Sequence, residues 1–442
     1  MTSSFTIKTS WQSPHPGPEE IRHTAAELQI MVGTDCATRV DDTWSQSVQD
    51  RILVAAYPLA LWFASSWWRL RWETRPFRPP SPSTDWRMSH EMTAVGFGYL
   101  WPPLTFESDN ETIRIVCHES PTSSTEPVRF LSAFQHHVSA AAFEESVRNF
   151  IELVMARLDT RGCPDSQLKH VWSEVLAERA DPDLHELRKR EAQLGFDPDE
   201  APSDLVPAFS ALSNVAGPHA ADELTSACAG SDPLQRLHEI NQLAAAPGHT
   251  ARIHVPPTQL QPRTELSAPP FQRGWEFARL VRSAASLNGQ PVSDHQLSAF
   301  LEIPLNTLQG ATHHTPPPIA LAVRNQSAPE QQTLHFRKRN RLGLRFEAAR
   351  FLAAHLLSDP AERWLPVTDS TTSQQKAQRA FAAEFLCPIA ALDEFLQHDF
   401  SDEAIELAAD HFSVSDRVVR SQLVNNGRLP LHAMLIDPPP AA

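Results

Sequence analysis

Glycine is scarce in this chain, 14 residues in 442, while proline reaches 38. That ratio argues against flexible connections and for rigid loops and proline-started helices. Cysteine is also sparse. The five, Cys36, Cys117, Cys163, Cys228 and Cys387, are scattered, odd in number and form no C-x-x-C pair. A disulfide scaffold or cysteine zinc knuckle is therefore not expected, and a reducing cytoplasm is. The opening MTSSFTIKTSWQSPHPGPEE has neither a basic start nor an apolar stretch, so no secretory signal is expected. Positive charge is in deficit, with 38 Lys and Arg against 53 Asp and Glu and a formal net charge of −15. Such a chain repels nucleic acid and anionic lipid at long range, leaving only a local basic patch open to them. No internal repeat is visible.

What is present is ordinary for a globular chain: 41% hydrophobic and 21% charged residues, with length for two or three domains. ILVAAYPLALWFASSWW, residues 52–68, is uncharged over 17 residues, the lower limit for a bilayer span. Pro58 and the Ser65-Ser66 pair favour a buried strand at 52–56 followed by a helix with Pro58 at its first position.

The expected fold class is α+β, predominantly helical. Residues 1–135 read as a mixed α/β, Trp-rich domain holding eight of the eleven tryptophans. Within it, TRPFRPPSPST (74–84) is a loop, and LTFESDNETIRIVC (104–117) alternates about Asp109-Asn110 like a hairpin. Residues 136–246 read as helical, with Phe143, Val147, Phe150, Ile151, Val154 and Leu158 forming one apolar stripe. Residues 247–270 carry six prolines and read as an inter-domain linker. A C-terminal domain over 271–429 follows, then a tail over 430–442. In that domain IALAVRN (319–325) and TLHFRKR (333–339) look like a strand pair, and RFEAARFLAAHLL (345–357) like the next helix.

A zinc-peptidase helix places two histidines four residues apart on one face, with a glutamate between them to take a proton from the metal-bound water. No H-E-x-x-H occurs in this chain. Yet Arg345-Phe346, Ala349, Leu352 and Leu356 match the frame R-F-x-x-A-H-E-L-G-H-L-L. Phe381-Ala382-Ala383-Glu384-Phe385-Leu386-Cys387-Pro388 matches A-N-x-F-A-A-x-L-L-M-P, and Leu407-Ala408, Phe412, Val414-Ser415, Val418-Val419 and Leu423 match L-A-x-x-F-x-V-S-x-x-V-V-x-x-L. Residues 271–429 thus resemble the ImmA/IrrE family of metallopeptidase-like regulators. The resemblance implies a zincin-like domain with a small sheet and a helix-turn-helix-like end. It also implies that the first histidine position is Arg350, the glutamate position Phe351 and the second histidine position Ala354, while SQQKAQRA (373–380), where a third ligand is due, has no acid. Zinc is therefore expected to be absent. A guanidinium at 350 puts positive charge where a dication would sit, a repulsion of several kcal/mol in a partly buried cleft.

Other candidates are weaker. His355 lies one residue past the ligand position, about 100 degrees around the helix, and has no partner at 351 or 359. His313-His314 falls in a threonine- and proline-rich loop. HFRKRNRLGLR (335–345) offers Arg337, Lys338, Arg339 and Arg341 to nucleic acid or an acidic partner, although such a run is usually a solvated edge. Residues 401–427 look like a helix-turn-helix with Ser401 and Ser415 as N-caps and Arg417, Arg420, Gln422 and Asn425 facing outward. Its five acids and three arginines between 401 and 429 favour packing over DNA. In DWRMSHE (85–91), Asp85, His90 and Glu91 suit acid-base work if they share a cleft. FASSWWRLRW interleaves aromatics and arginines, a composition for base stacking or, more often, for a core or interface.

The resulting expectation is a cytoplasmic bacterial regulatory or defence-related protein, in a stress or phage-defence setting. Its degenerate, non-catalytic peptidase-like domain binds a protein partner such as a repressor, with no membrane role. The alternatives are an active metal-dependent peptidase with unconventional ligands that cleaves a repressor, and a helix-turn-helix transcriptional regulator.

Overall fold

A computed structural model describes residues 3–430 apart from 15, 44, 77–81, 122–126, 231, 254–268, 311–314 and 329. The protein is mixed α+β, about half helical, with several small antiparallel sheets. Among the described residues no helix is long and apolar enough to cross a membrane.

The chain forms two compact units. The first holds the chain through Pro207 and two short segments at 229–231 and 370–372. In its main sheet Ala25–Val32 is central: Phe5–Trp11 pairs with one edge, and Asp35–Cys36 and Ile52–Ala55 share the other. A second sheet joins Leu104–Ser108, Thr112–Cys117 and Phe134–Ser139, and a third joins Ser47–Gln49, Val40–Asp42 and Val128–Phe130. The hairpin expected at Asp109-Asn110 is present. The Asp109 carboxylate accepts from the backbone N–H groups of Glu111 and Thr112, and Asn110 takes the left-handed φ of 76° that the turn needs. The uncharged 52–68 segment divides into the strand Ile52–Ala55, the helix Ala56–Ser65 and the start of the helix Trp67–Trp72. Pro58 is the third residue of its helix and not the first. That position costs nothing, because N–H groups of a first turn have no intrahelical acceptor.

The stripe Phe143 to Leu158 is buried along the Ala140–Thr160 helix. It meets Phe5, Phe63 and Phe106 in an aromatic core with ring centroids 5.5–6.4 Å apart across the Phe143 and Phe150 contacts.

The second unit holds 208–228, 232–369 and 373–442. Its antiparallel sheet runs His249–Arg252, Gln331–His335, Ala320–Arg324, Trp364–Val367. The expected strand pair is thus its centre, and the 345–357 stretch continues a helix, Arg341–Leu357, capped by the Asn340 side chain on the Gly343 N–H. The helix Pro270–Ala284 packs along the helix Ser373–Leu386, and Ile389–Leu396, Asp402–Phe412 and Asp416–Asn425 complete the unit.

The units divide near residue 207, inside the stretch that composition marks as one helical region. The Pro218–Cys228 helix shows why. Its first N–H groups, of His219 and Ala220, are received by the Glu362 carboxylate at 3.1 and 3.0 Å, so a residue from beyond the expected linker completes it. The linker expectation also changes at its start, where His249–Arg252 is an edge strand, and at its end, where Pro270 opens a helix. Residues 254–268 between them lie outside the described residues.

Candidate functional site

The Arg341–Leu357 helix is alanine-rich and buried over most of its length, which lets the sheet and the Ser373–Leu386 helix approach it closely. Arg350 and Ala354, four residues apart, leave one face of it. Ala354 is fully buried, and Phe351 is turned into the core, edge-on to Phe336 at 5.1 Å. Arg350 is only 5% exposed. Its Nη2 donates to the Thr368 carbonyl at 2.8 Å, to Gln375 Oε1 at 2.5 Å and to Gln378 Oε1 at 3.3 Å. Gln375 Nε2 and Gln378 Nε2 in turn donate to the Pro366 carbonyl at 3.0 and 3.2 Å, and Gln375 Oε1 also accepts from the Thr368 N–H at 2.8 Å. One guanidinium therefore ties the helix to the end of the last strand and to two side chains of 373–380.

Charge around Arg350 is mixed. Burial, followed by the nearby charge of Arg379, pulls its pKa down to about 9, against the opposing pull of Asp369 and Glu347. It remains a cation at neutral pH. Burial raises the Glu347 carboxyl, although Glu347 Oε2 accepts the backbone N–H groups of Lys338 and Arg337, both at 2.9 Å. Burial would raise Asp369 too, but its two 2.9 Å bonds from Arg337 win and hold it below the usual carboxylate range.

A zinc ion, implied by the resemblance for chains that keep the motif, does not fit this donor set. An arginine, a phenyl ring, a methyl group and two amides supply neither imidazole nor carboxylate. Among the described residues no group of three or more His, Cys, Asp or Glu is arranged to hold a metal ion. Gln375 and Gln378 are the residues that sequence reasoning passed over. Their only signal is the i, i+3 spacing of two glutamines in a stretch without acids.

His355 turns away from Arg350. Its Nδ1 accepts from Gln332 Nε2 at 2.6 Å, and its carbonyl receives Arg324 Nη2 at 3.2 Å. Burial, then the Arg324 charge, pulls the imidazole down to about 4. An unfolded histidine titrates near about 6.5, so the unfolded chain takes up the proton first as pH falls. The contribution of neutral His355 is whole above about pH 6.5 and lost progressively down to about pH 4, on the order of 2 kcal/mol. Burial shifts His335 and His249 in the same direction. We predict that His355→Gln shrinks the loss of urea stability between about pH 7 and pH 4.5; an unchanged loss would rule out a buried neutral imidazole there.

The basic run is largely engaged. Arg341 Nε donates to Asp294 at 2.8 Å, and the buried Arg345 donates to the Val292 and Ser413 carbonyls at 2.6 and 3.0 Å. Lys338 and Arg339 are exposed. In the helix-turn-helix-like end, Ser401 caps its helix through the Ala404 N–H, whereas Ser415 makes no side-chain cap bond. Gln422 does not face outward. It is 1% exposed and donates to Glu384 Oε2 at 2.9 Å and the Cys387 carbonyl at 2.8 Å. Arg420 reaches Asp402 at 2.5 Å, while Arg417 and Asn425 are exposed. His313-His314 lies outside the described residues.

In the first unit Asp85, His90 and Glu91 do not share a cleft. Asp85 accepts from Arg69 at 2.7 Å, Glu91 from Arg87 at 2.9 Å, and His90 is fully buried, stacked on Trp86 with centroids 4.2 Å apart. FASSWWRLRW is consumed inside the same unit: Trp67, Trp68 and Arg69 are buried, and the Arg71 guanidinium lies 3.8 Å over the Trp72 ring. No family model matches the chain, and neither curated proteins nor solved structures include a significant match to it.

Proposed function

We propose that this chain is a regulatory protein whose second unit is a degenerate ImmA/IrrE-like domain, one that engages a protein partner and cuts nothing. The observation that supports this reading is the Arg350 guanidinium bonded to Gln375 and Gln378. The residue at the first ligand position and the stretch due to supply a third ligand meet in space, and what joins them is a cation with two amides. A positive charge held there opposes a dication and supplies no base to activate water. The regulatory setting, the repressor-like partner and a cytoplasmic site belong to this proposal.

Metal analysis of protein purified without added zinc tests it. The native chain is expected to carry far less than one equivalent. The combined change Arg350→His, Phe351→Glu, Ala354→His and Gln375→Glu is expected to take up zinc, read by metal content and by a metal-dependent rise in melting temperature. Stoichiometric zinc in the native protein, with chelator-sensitive cleavage of any protein, would overturn the proposal. A restored variant that folds yet stays metal-free would refute the placement of the four positions.

A further inference from the structure

Leu407 is 63% exposed and Phe395 41% exposed, the former among the most exposed large apolar side chains of the described residues. They belong to one strip. Leu407 and His411 stand one turn apart on the Asp402–Phe412 helix, and the Phe395 ring stacks on His411 with centroids 4.7 Å apart. Glu403, Glu406 and Asp410 are exposed around Leu407 on that helix, Asp402 is exposed at its start, and Glu394 adjoins Phe395. Residues 389–429 hold eight acids, at 393, 394, 399, 402, 403, 406, 410 and 416, against three arginines. Two of those arginines, Arg420 and Arg428, are bonded to Asp402 and Asp393, which leaves the strip's rim acidic.

We infer that this strip is a docking surface for a basic amphipathic segment of a partner protein, one that seats an apolar side chain on Leu407 and Phe395 and brings lysines or arginines to Glu394, Glu403, Glu406 and Asp410. An apolar centre with a charged rim is how such surfaces combine affinity with orientation. Nucleic acid and anionic lipid are repelled by the same rim. The inference rests on the partner-binding reading, but peptide binding and metal content are separate measurements, so either can fail alone.

The test uses the full chain and a fluorescein-labelled amphipathic helical peptide of leucine and lysine, followed by anisotropy, with the same peptide carrying glutamate for lysine as reference. The lysine peptide is expected to bind, less tightly as salt rises, and the glutamate peptide to bind far more weakly. Leu407→Ser, alone and with Phe395→Ser, is expected to weaken binding about tenfold or more. Neutralising Glu403, Glu406 and Asp410 together should weaken binding and flatten its salt dependence. Glu145→Gln with Glu152→Gln, exposed acids on another helix, should change nothing. Unchanged binding in Leu407→Ser, an equal loss in the Glu145 and Glu152 control, or tighter binding by a chain ended at Pro430, which would make the chain's own tail the occupant, each overturns the inference.

Discussion

Gly274→Ala is expected to destabilise the second unit by several kcal/mol, although glycine to alanine inside a helix ordinarily stabilises by about 0.5–1 kcal/mol. Gly274 lies in the Pro270–Ala284 helix where it approaches the Ser373–Leu386 helix closely. A Cβ at 274 would sit 2.3 Å from the Ala377 carbonyl oxygen and 2.9 Å from the Phe381 nitrogen. Both are backbone atoms of a buried helix and cannot swing aside, so relief requires the helices to part, at the overpacking cost of about 1–3 kcal/mol or more. Parting also strains the bonds that pin the pair, from Arg279 to Glu384 at 2.8 Å and from Arg282 to the Phe385 carbonyl at 2.6 Å. Overlap therefore wins over propensity. Gly289→Ala is the control, since its nearest neighbour would be the Ala391 Cβ at 3.5 Å, an ordinary contact. Urea denaturation should show a much lower midpoint for the first variant and a near-native one for the second. A native midpoint in Gly274→Ala would mean that the two helices do not approach this closely at residue 274.

Glu73→Gln is expected to cost about 3–5 kcal/mol, because it strips a counter-charge from the buried Arg69 while keeping the side chain's shape. Glu73 accepts from Arg69 Nε at 2.7 Å and from Arg69 Nη2 at 3.3 Å, and its Oε2 lies 2.9 Å from His90 Nε2. The other ring nitrogen of His90 faces the Phe106 carbonyl oxygen at 3.0 Å. A carbonyl oxygen only accepts, so the ring nitrogen facing Phe106 carries a proton. Burial works against the Arg69 charge, but the bonds to Glu73 and Asp85 hold its pKa above the ordinary arginine range. An amide at 73 returns no charge and turns an N–H₂ group toward one of these donors. Thermal melting and urea unfolding measure the loss. Nitrogen NMR of the His90 ring should show a pattern in the variant that differs from the native one. A loss below about 1 kcal/mol would show that the pair is solvated and not a buried network.

Some of this was readable along the chain. The 143–158 stripe is buried because residues at steps of three and four share one helix face, whatever that face meets. The hairpin at 109–110 and the strand pair at 320–335 are likewise products of local alternation and turn chemistry. The division near residue 207 was not readable, since periodicity marks a helix's buried side without naming its partner. The assignment of Gln422 to an outward face failed for the same reason: Glu384 and the Cys387 carbonyl draw it inward from more than thirty positions away.

By itself the sequence determined the acidic balance and the periodic faces. It also determined that neither histidine nor glutamate stands at 350, 351 or 354, because those features follow from residue identity and from the fixed geometry of helix and strand. Only the tertiary structure decided what Arg350 bonds to, that His90 and Glu73 meet, and that position 274 has no room for a Cβ beside the neighbouring backbone. Those outcomes depend on distances between segments far apart in the chain, and close packing, which no local pattern encodes, sets them.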